Sequence, residues 1–262
     1  MAGSIAPRLA YRRWRRQSSR DRPVVEVRPM QGTVLITGSS RGLGFALAET
    51  FLAAGFEVIA THRKDACPAL DELSQRFPGR LNTLRMDVLD EKSVRQAAEA
   101  VKTGRAQLDV LINNAALCLD VDDSIEDVDL DVIQKQMDAN AYGPLRVTRA
   151  FLPLLEKSDR GILVNISSEA GSVGACWRDT GFGYCMSKAA LNMQSRILEK
   201  YLAPRGIKVL AVHPGWMQSD MGGPGADISP AEAAEGILRL VASDNCRDTP
   251  MYVVYNGDPY PY

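Results

Sequence analysis

The chain has no long hydrophobic run. None of its 262 residues belongs to a stretch approaching the roughly 18 apolar residues that a membrane-spanning helix needs. It also has little net charge, because 31 lysines and arginines against 32 acidic residues leave a formal charge of −1. Such a balance gives no overall attraction for nucleic acid or an anionic membrane. We therefore expect neither among its partners.

Cysteine is scarce and irregularly spaced. The five cysteines form neither an even set nor a metal-ligand spacing, which excludes a disulfide framework and predicts no metal site. This usage is typical of a reducing compartment, so we expect a cytoplasmic protein. The cysteines are Cys67, Cys118, Cys176, Cys185 and Cys246.

Acidic residues are missing from the first twenty positions. Within residues 1–32, eight arginines face two acids, which gives this segment a charge of +6 and leaves −7 for the remainder. An acid-poor start that bears Arg and Ser resembles an organelle transit peptide, which would mean a mitochondrial or plastid location. A solvated, disordered extension is the alternative. We assign residues 1–31 to this basic extension and residues 32–262 to one domain, a common size for an α/β fold.

Short β-rich runs alternate with longer helical patterns after residue 32. The alternation predicts an α/β fold with a single Rossmann-type, doubly wound parallel sheet of about seven strands and helices on both faces. Most of these runs are uninterrupted Val, Ile and Leu, as expected for strands buried on both faces. Strands are predicted at 33–37, 57–61, 81–86, 108–113, 161–166, 207–212 and 251–254, and helices at 43–54, 67–76, 91–102, 129–156, 183–203 and 230–243.

A glycine-rich segment, Thr37 to Gly44, follows the first predicted strand. Its spacing is Gly-x3-Gly-x-Gly, which differs from the G-x-G-x-x-G pattern of dinucleotide-binding proteins but works by the same physics. Glycines let the main chain approach a pyrophosphate, and the N-terminus of the following helix favours an anion. The segment therefore indicates a dinucleotide site. A tight turn that binds nothing is the alternative.

Two side chains suited to proton transfer lie four residues apart. Tyr184 and Lys188 share one face of the helix predicted over 183–203. A free tyrosine has a pKa of about 10, and a nearby cation stabilises the phenolate and lowers that pKa. Ser168, sixteen residues before Tyr184, follows a predicted strand and could hydrogen-bond a carbonyl oxygen. An exposed helix pair and a capping serine are the ordinary alternatives.

Taken in order, these motifs resemble the short-chain dehydrogenases/reductases over about residues 32–256. The resemblance implies a catalytic tetrad of Asn140, Ser168, Tyr184 and Lys188. In that family Tyr transfers the proton, Ser positions the carbonyl, Lys holds the ribose and tunes Tyr, and Asn supports a proton-relay water. The expected cofactor-binding residues are Thr37, Gly38, Ser40, Arg41, Gly42, Leu43, Gly44, Arg63, Asp87, Val88, Asn114, Ala115, Tyr184, Lys188, Pro214, Gly215 and Ser219.

Two features depart from the usual family pattern. Ala116 stands where the family usually has glycine, and the interval from Ser168 to Tyr184 is longer than usual. The longer interval, with His213-Pro214-Gly215-Trp216, is similar to the carbonyl reductases of the sniffer type and the bacterial C-factor signalling proteins. The resemblance also implies subunit pairing through the long helices, which would give a homodimer or homotetramer.

The second predicted strand is followed by His62-Arg63-Lys64. An acid at this position would bind a ribose 2′-OH, whereas Arg63 and Arg41 can pair with a 2′-phosphate. We therefore expect NADP(H) rather than NAD(H). Asp87 resembles the family's adenine-side aspartate, and a helix N-cap is the alternative.

The substrate is less clearly indicated. Trp177, Trp216, Met217 and Met221 could form an apolar wall or belong to the core. We expect a small apolar aldehyde or ketone as substrate. Two functions stay open: an NADPH-dependent carbonyl reductase with Tyr184 as general acid, and a cofactor-binding signalling protein in which turnover is incidental.

Overall fold

A computed structural model describes residues 31–120, 122–218, 222–223 and 225–262. Nearly all of the basic extension predicted over 1–31 therefore lies outside the described residues, as do Ser219 and Met221. Among the described helices, none is both long and apolar enough to cross a membrane.

The described part of the chain forms one parallel sheet of seven strands, in the spatial order β3-β2-β1-β4-β5-β6-β7. The order reverses between β1 and β4, the switch point beside which sheets of this type bind ligands. The prediction of a doubly wound parallel sheet is confirmed. The strands are β1 Thr33–Ile36, β2 Glu57–His62, β3 Leu81–Arg85, β4 Val110–Asn113, β5 Ile162–Ile166, β6 Lys208–His213 and β7 Tyr252–Val254.

Helices cover both faces of the sheet, and each face has its own apolar layer. One layer packs α1, α2 and α7 against the sheet, and the other packs α3, α5 and the end of α6. Strands buried on both sides explain the continuous apolar runs in the sequence. The helices of the described residues are α1 Gly42–Ala53, α2 Pro68–Arg76, α3 Glu91–Gly104, α4 Leu130–Met137, α5 Gly143–Leu155, α6 Phe182–Leu202 and α7 Pro230–Ala242.

The helix predicted over 129–156 is wrong as a single helix. It consists of α4 and α5, joined by a π-helical turn over Asp138–Tyr142. A π-turn holds an extra residue, and such turns are frequent at functional sites. This one contains Asn140, whose side chain bonds to residues outside the helix instead of facing solvent.

Candidate active site

The carboxyl ends of the strands open onto a cavity of about 1000 Å³. The glycine segment lines one end, and Ser168, Tyr184 and Lys188 line the other. The volume lies at the upper end of the range of about 300–1,000 Å³ that is usual for ligand sites. The fold thus brings the predicted phosphate loop and the predicted proton-transfer groups to one cavity. We call these the loop end and the tyrosine end.

The loop end is formed mainly by main chain. Gly42 begins α1 with a φ of 57°, and a Cβ added there would meet nothing within 4 Å. Arg41 precedes it in an extended conformation, and its side chain does not cap the helix. The first turn of α1, which is described in full, carries no acidic side chain. Amide donors and the positive end of the helix dipole therefore stand at a cavity wall, where an anion is stabilised.

Thr37 supports this loop from behind and does not itself line the cavity. Its Oγ1 accepts hydrogen bonds from the amides of Asn114 at 2.9 Å and Ala115 at 3.0 Å. Asn114 returns one through its Nδ2 to the Thr37 carbonyl at 2.9 Å. A Cβ on Gly44 would lie 2.2 Å from the Gly38 carbonyl oxygen, so only glycine fits there. The segments after β1 and β4 are thus held together as one surface.

Two arginine side chains give the loop end positive charge, one after β1 and one after β2. Arg41 and Arg63 both line the cavity and both are exposed. The nearest following acid, Asp65, does not line the cavity, and its 91% exposed side chain pairs with Arg85 at 3.3 Å.

Asp87 and Val88 also line the loop end. Asp87 is not the N-cap of α3, because Asp90 holds that position and accepts the Lys92 amide at 2.8 Å. The Asp87 carboxylate instead accepts the amide of Leu89 at 3.0 Å. The capping alternative considered for Asp87 is therefore excluded.

At the tyrosine end, the first turns of α6 deliver Tyr184 and Lys188. The turn into the helix is made by Gly181, whose φ is 74°. Tyr184 is 8% exposed and Lys188 is 2% exposed. The ammonium of Lys188 donates to the Ile166 carbonyl at 2.8 Å and lies 5.7 Å from the centre of the Tyr184 ring. One hydrogen bond thus ties α6 to the end of β5.

Burial shifts the pKa values of both side chains. Burial raises the pKa of Tyr184, and the nearby Cys118 and Glu169 add to the rise, while the Ser168 hydroxyl offsets part of it. Burial lowers the pKa of Lys188 to about 8. The expectation that a cation lowers the pKa of Tyr184 below its ordinary value is wrong, since loss of solvation outweighs the cation that acts on it, which is Arg178 rather than Lys188. Tyr184 is therefore a protonated donor at neutral pH.

The capping role considered for Ser168 is present, and its contact with a carbonyl oxygen remains a prediction. Its Oγ accepts the Ala170 amide at 3.2 Å, as a capping serine does, and it also lines the cavity. The same hydroxyl donates to the Glu169 carboxylate at 2.5 Å. The Ser168 carbonyl accepts the Tyr252 hydroxyl at 2.6 Å, which fixes the backbone at this point.

Asn140 does not line the cavity. Its side-chain amide bonds to the backbone of Leu117, with 2.7 Å for both the accepted and the donated bond, and donates to Ser187 at 3.0 Å. Asn140 therefore links the segment after β4 to α6. The family's role for it, support of a relay water, remains a prediction.

Pro214 and Gly215 line the cavity beyond β6, and Gly215 needs its φ of 85° for the turn. Trp177 and Trp216 are 45% and 39% exposed and also line the cavity, as does Met217. Of the two alternatives for the tryptophans, the structure supports the wall. Ser219 lies outside the described residues.

Several residues of the site were missed from the sequence. Asp120 is buried and accepts the amides of Gly183 at 2.5 Å and Tyr184 at 3.3 Å, so it caps α6. Cys118 lines the cavity, and burial raises the pKa of its thiol to about 11. Arg178 pairs with Glu169 at 2.6 Å. The one available signal was the position of Glu169 directly after Ser168.

Comparison with known proteins agrees with this geometry. Residues 32–227 match the family model described as short chain dehydrogenase. The chain is 37% identical to the C-signal protein of Myxococcus xanthus over 173 residues, which are 64% of this chain and all of that protein.

Two solved structures are also similar. The NADPH-bound carbonyl reductase from chicken fatty liver has a TM-score of 0.82 and 29% identity, covering 88% of this chain and 98% of that one. The carbonyl reductase Sniffer of D. melanogaster, at 24% identity, shows the likeness of fold, with a TM-score of 0.83 over 89% of this chain and 100% of its own. The chain belongs to the short-chain dehydrogenase family of oxidoreductases.

Proposed function

We propose that the chain reduces the carbonyl group of a small aldehyde or ketone with NADPH. One observation carries the proposal: a buried, protonated Tyr184 lines the same cavity as the phosphate loop, with Ser168 and Lys188 beside it. The similar chicken enzyme is a carbonyl reductase bound to NADPH, which supports both the reaction and the choice of cofactor.

The residues of the loop end fit a dinucleotide with a 2′-phosphate. The amides at Gly42 to Gly44 would hold the pyrophosphate, and Arg41 and Arg63 would pair with the additional phosphate. Gly42 meets this need because open space lies where a side chain would stand. Pro214 and Gly215 would border the nicotinamide. When bound, the cofactor supplies the hydride.

The residues of the tyrosine end would handle the proton. Tyr184 gives its hydroxyl proton to the carbonyl oxygen and becomes a phenolate, which the Lys188 ammonium stabilises. The single hydroxyl proton of Ser168, which points to Glu169 in the chain as described, would turn to the same oxygen as negative charge develops. Because the pKa of Tyr184 is raised, the proton stays on the phenol until the oxygen becomes basic.

The substrate side of the cavity is partly apolar. Trp177, Trp216 and Met217 offer apolar surface, which suits the hydrocarbon part of a small aldehyde or ketone. The Glu169–Arg178 pair at the same end carries no net charge.

Consumption of NADPH with a panel of aldehydes, ketones and quinones tests the proposal. We expect turnover by the wild type, and a fall in kcat of about 10²–10⁴-fold in Tyr184→Phe with the Kd for NADPH within about threefold. Tyr201→Phe is the matched control, because Tyr201 is exposed on the same helix and bonds to Arg205. We expect this control to behave as wild type.

The signalling alternative makes the opposite prediction. The similarity to C-signal motivates it. If NADPH binds but the wild type reduces no member of the panel, the reductase proposal is wrong and the binding protein is the better description.

Location and assembly are also proposals. We propose a cytoplasmic protein, and the mature N-terminus tests this, because cleavage near residue 30 would indicate import instead. Subunit pairing would cover apolar side chains of α6 such as Met193 and Ile197, which are 63% and 59% exposed. Light scattering of the purified chain should then give a dimer or tetramer mass.

A further inference from the structure

A buried carboxylate stands directly beside the proposed reaction centre. Glu169 follows Ser168, lines the cavity, and its side chain is only 14% exposed. It accepts the Ser168 hydroxyl at 2.5 Å through one oxygen and Arg178 at 2.6 Å through the other. Both carboxylate oxygens therefore have a fixed donor, and Glu169 cannot move without breaking its bond to Ser168 or to Arg178.

The pair is charged at every working pH. Burial by itself would raise the pKa of Glu169, but the charges of His213 and Arg178, with the hydrogen bonds from Ser168 and Arg178, lower it to about 2. Burial also lowers the pKa of His213, so the imidazole is neutral near pH 7 and the positive charge that persists is that of Arg178. A buried carboxylate is tolerated only with such a partner.

Arg178 is itself held in place. Its guanidinium stacks on the Trp177 ring, 4.8 Å from the centre, and its side chain is 20% exposed. The backbone of Glu169 is held as well, because its amide donates to His213 Nδ1 at 3.3 Å. Two donors thus hold the carboxylate of Glu169, and a third hydrogen bond holds its backbone.

We propose that Glu169 is a positioning residue: its carboxylate, clamped by Arg178, holds the Ser168 hydroxyl in place until substrate binds and places a fixed negative charge beside Tyr184. The proposal rests on the proposed reduction. It has two consequences. The Ser168 oxygen is kept within the site, where its proton can pass from Glu169 to the carbonyl oxygen, and Tyr184 resists ionisation until a basic carbonyl oxygen takes its proton.

Other ionisable groups surround Tyr184, and they define what a titration measures. They are Lys188 and Cys185 on α6, Cys118 and Asp120 after β4, Arg178 before α6, and, in contact with Glu169, His213 at the end of β6. Burial raises the pKa values of the thiols of Cys118 and Cys185 and lowers that of Lys188 to about 8. Since all are present in every variant below, a difference between variants reports the Glu169 charge.

The first test observes Tyr184 directly, in the full chain without substrate. Ring-labelled tyrosine is followed by NMR from about pH 7 to 12, with Tyr184→Phe to assign the signal and circular dichroism to confirm folding. We expect the signal to start moving at lower pH in Glu169→Gln than in the wild type. Glu169→Asp keeps the charge and should keep the wild-type onset. An onset in Glu169→Gln equal to that of the wild type would overturn the proposal.

The second test separates the two roles of Glu169, which are the placement of the Ser168 hydroxyl and the negative charge beside Tyr184. Glu169→Gln keeps an acceptor for Ser168, whereas Glu169→Ala removes it, so we expect kcat to fall about tenfold more in Ala than in Gln. The Kd for NADPH should stay within about twofold in both. Equal kcat values in the two variants would overturn the assigned role in holding the Ser168 hydroxyl.

A matched control and a separate readout complete the design. Glu156→Gln removes a carboxylate that also pairs with an arginine, Arg205 at 2.7 Å, but does not line the cavity. It should leave the titration and kcat unchanged. Because the NMR titration needs no turnover, it still tests Glu169 if the reductase proposal fails, and failure of the titration leaves turnover by the wild type intact.

Discussion

The two ends of the cavity are built in different ways. At the loop end, the groups that would touch a ligand are main-chain amides and two exposed arginines, and the loop is supported by hydrogen bonds of Thr37 with Asn114 and Ala115. At the tyrosine end, Lys188, Ser168 and Glu169 are mostly buried, and each has a fixed partner. The positions of main-chain amides depend on backbone angles. The positions of the side chains at the tyrosine end depend on all their hydrogen-bond partners together.

Their electrostatics differ for the same reason. Arg41 and Arg63 keep contact with water, which screens them, and they suit a ligand that arrives charged. At the tyrosine end the side chains themselves are buried, and there burial raises the pKa of Tyr184 and lowers that of Lys188 to about 8. Variants at the loop end should therefore change cofactor binding, and variants at the tyrosine end should change kcat.

Lys188 should give the largest effect of the four variants that follow. We expect Lys188→Met to lower kcat for carbonyl reduction by about 10²–10³-fold, because the phenolate that forms on Tyr184 loses its cation. In the wild type, kcat should fall above about pH 8, where Lys188 loses its proton. Lys188→Arg stays protonated and should move this fall to higher pH. A flat wild-type profile from pH 8 to 9.5 would contradict the assignment.

Arg63 should give the next largest effect, and on binding alone. We expect Arg63→Ala to raise the Kd for NADPH about 10- to 100-fold, since a charge-assisted pair with the 2′-phosphate is lost. Binding of NADH should not change. Arg76→Ala, which removes an exposed arginine paired with Glu49, is the control. A loss of equal size for both cofactors would remove Arg63 from phosphate recognition.

Gly42 tests the backbone part of the loop end. Gly42→Ala forces a side chain onto a φ of 57°, which should lower the free energy of unfolding by about 1–2 kcal/mol and raise the KM for NADPH several-fold. Gly104→Ala is the matched control, because Gly104 has ordinary backbone angles and open space around it. It should be neutral or stabilise the chain by up to about 1 kcal/mol. Equal changes in urea unfolding would contradict the argument.

Asp120 should give the smallest effect. Asp120→Asn keeps an acceptor for the first amides of α6 but removes the charge that favours a helix N-terminus, so we expect a loss of about 0.5–1 kcal/mol in unfolding free energy. The value of kcat should change less than threefold. Asp129→Asn, an exposed cap that accepts the Asp131 amide at 2.8 Å, should cost less. A larger loss for Asp129 would show that burial of Asp120 does not strengthen the cap.

Local features of the chain were predictable, and features made by distant contacts were not. The strand positions follow from apolar runs that are buried on both sides, and each lies within two residues of its predicted bounds. The glycine segment could be recognised because its glycines determine the conformation of the loop that contains them. Tyr184 and Lys188 share a face through helical spacing, but their gathering with Ser168 came from the family resemblance.

What the sequence could not show depends on tertiary burial. The rise in the pKa of Tyr184 follows from loss of solvent and from Cys118 and Glu169. Cys118 is distant from Tyr184 in the sequence, and Glu169 belongs to no motif. Asp120 reaches α6 across more than sixty positions. The pairing of Glu169 with Arg178 follows no helical or strand period. Such contacts exist only once the sheet has brought its strand ends together.

The π-turn at Asp138–Tyr142 depends on the exact number of residues in the chain at this point. Removing one of its residues would close the turn into uniform α-helix and leave α4 and α5 in nearly the same angular phase, because a π-turn accommodates its extra residue locally. Gln136 would keep the Leu119 amide that it accepts at 2.9 Å, whereas Asn140, inside the turn, would leave Leu117. At this place a deletion should therefore damage the site more than the fold.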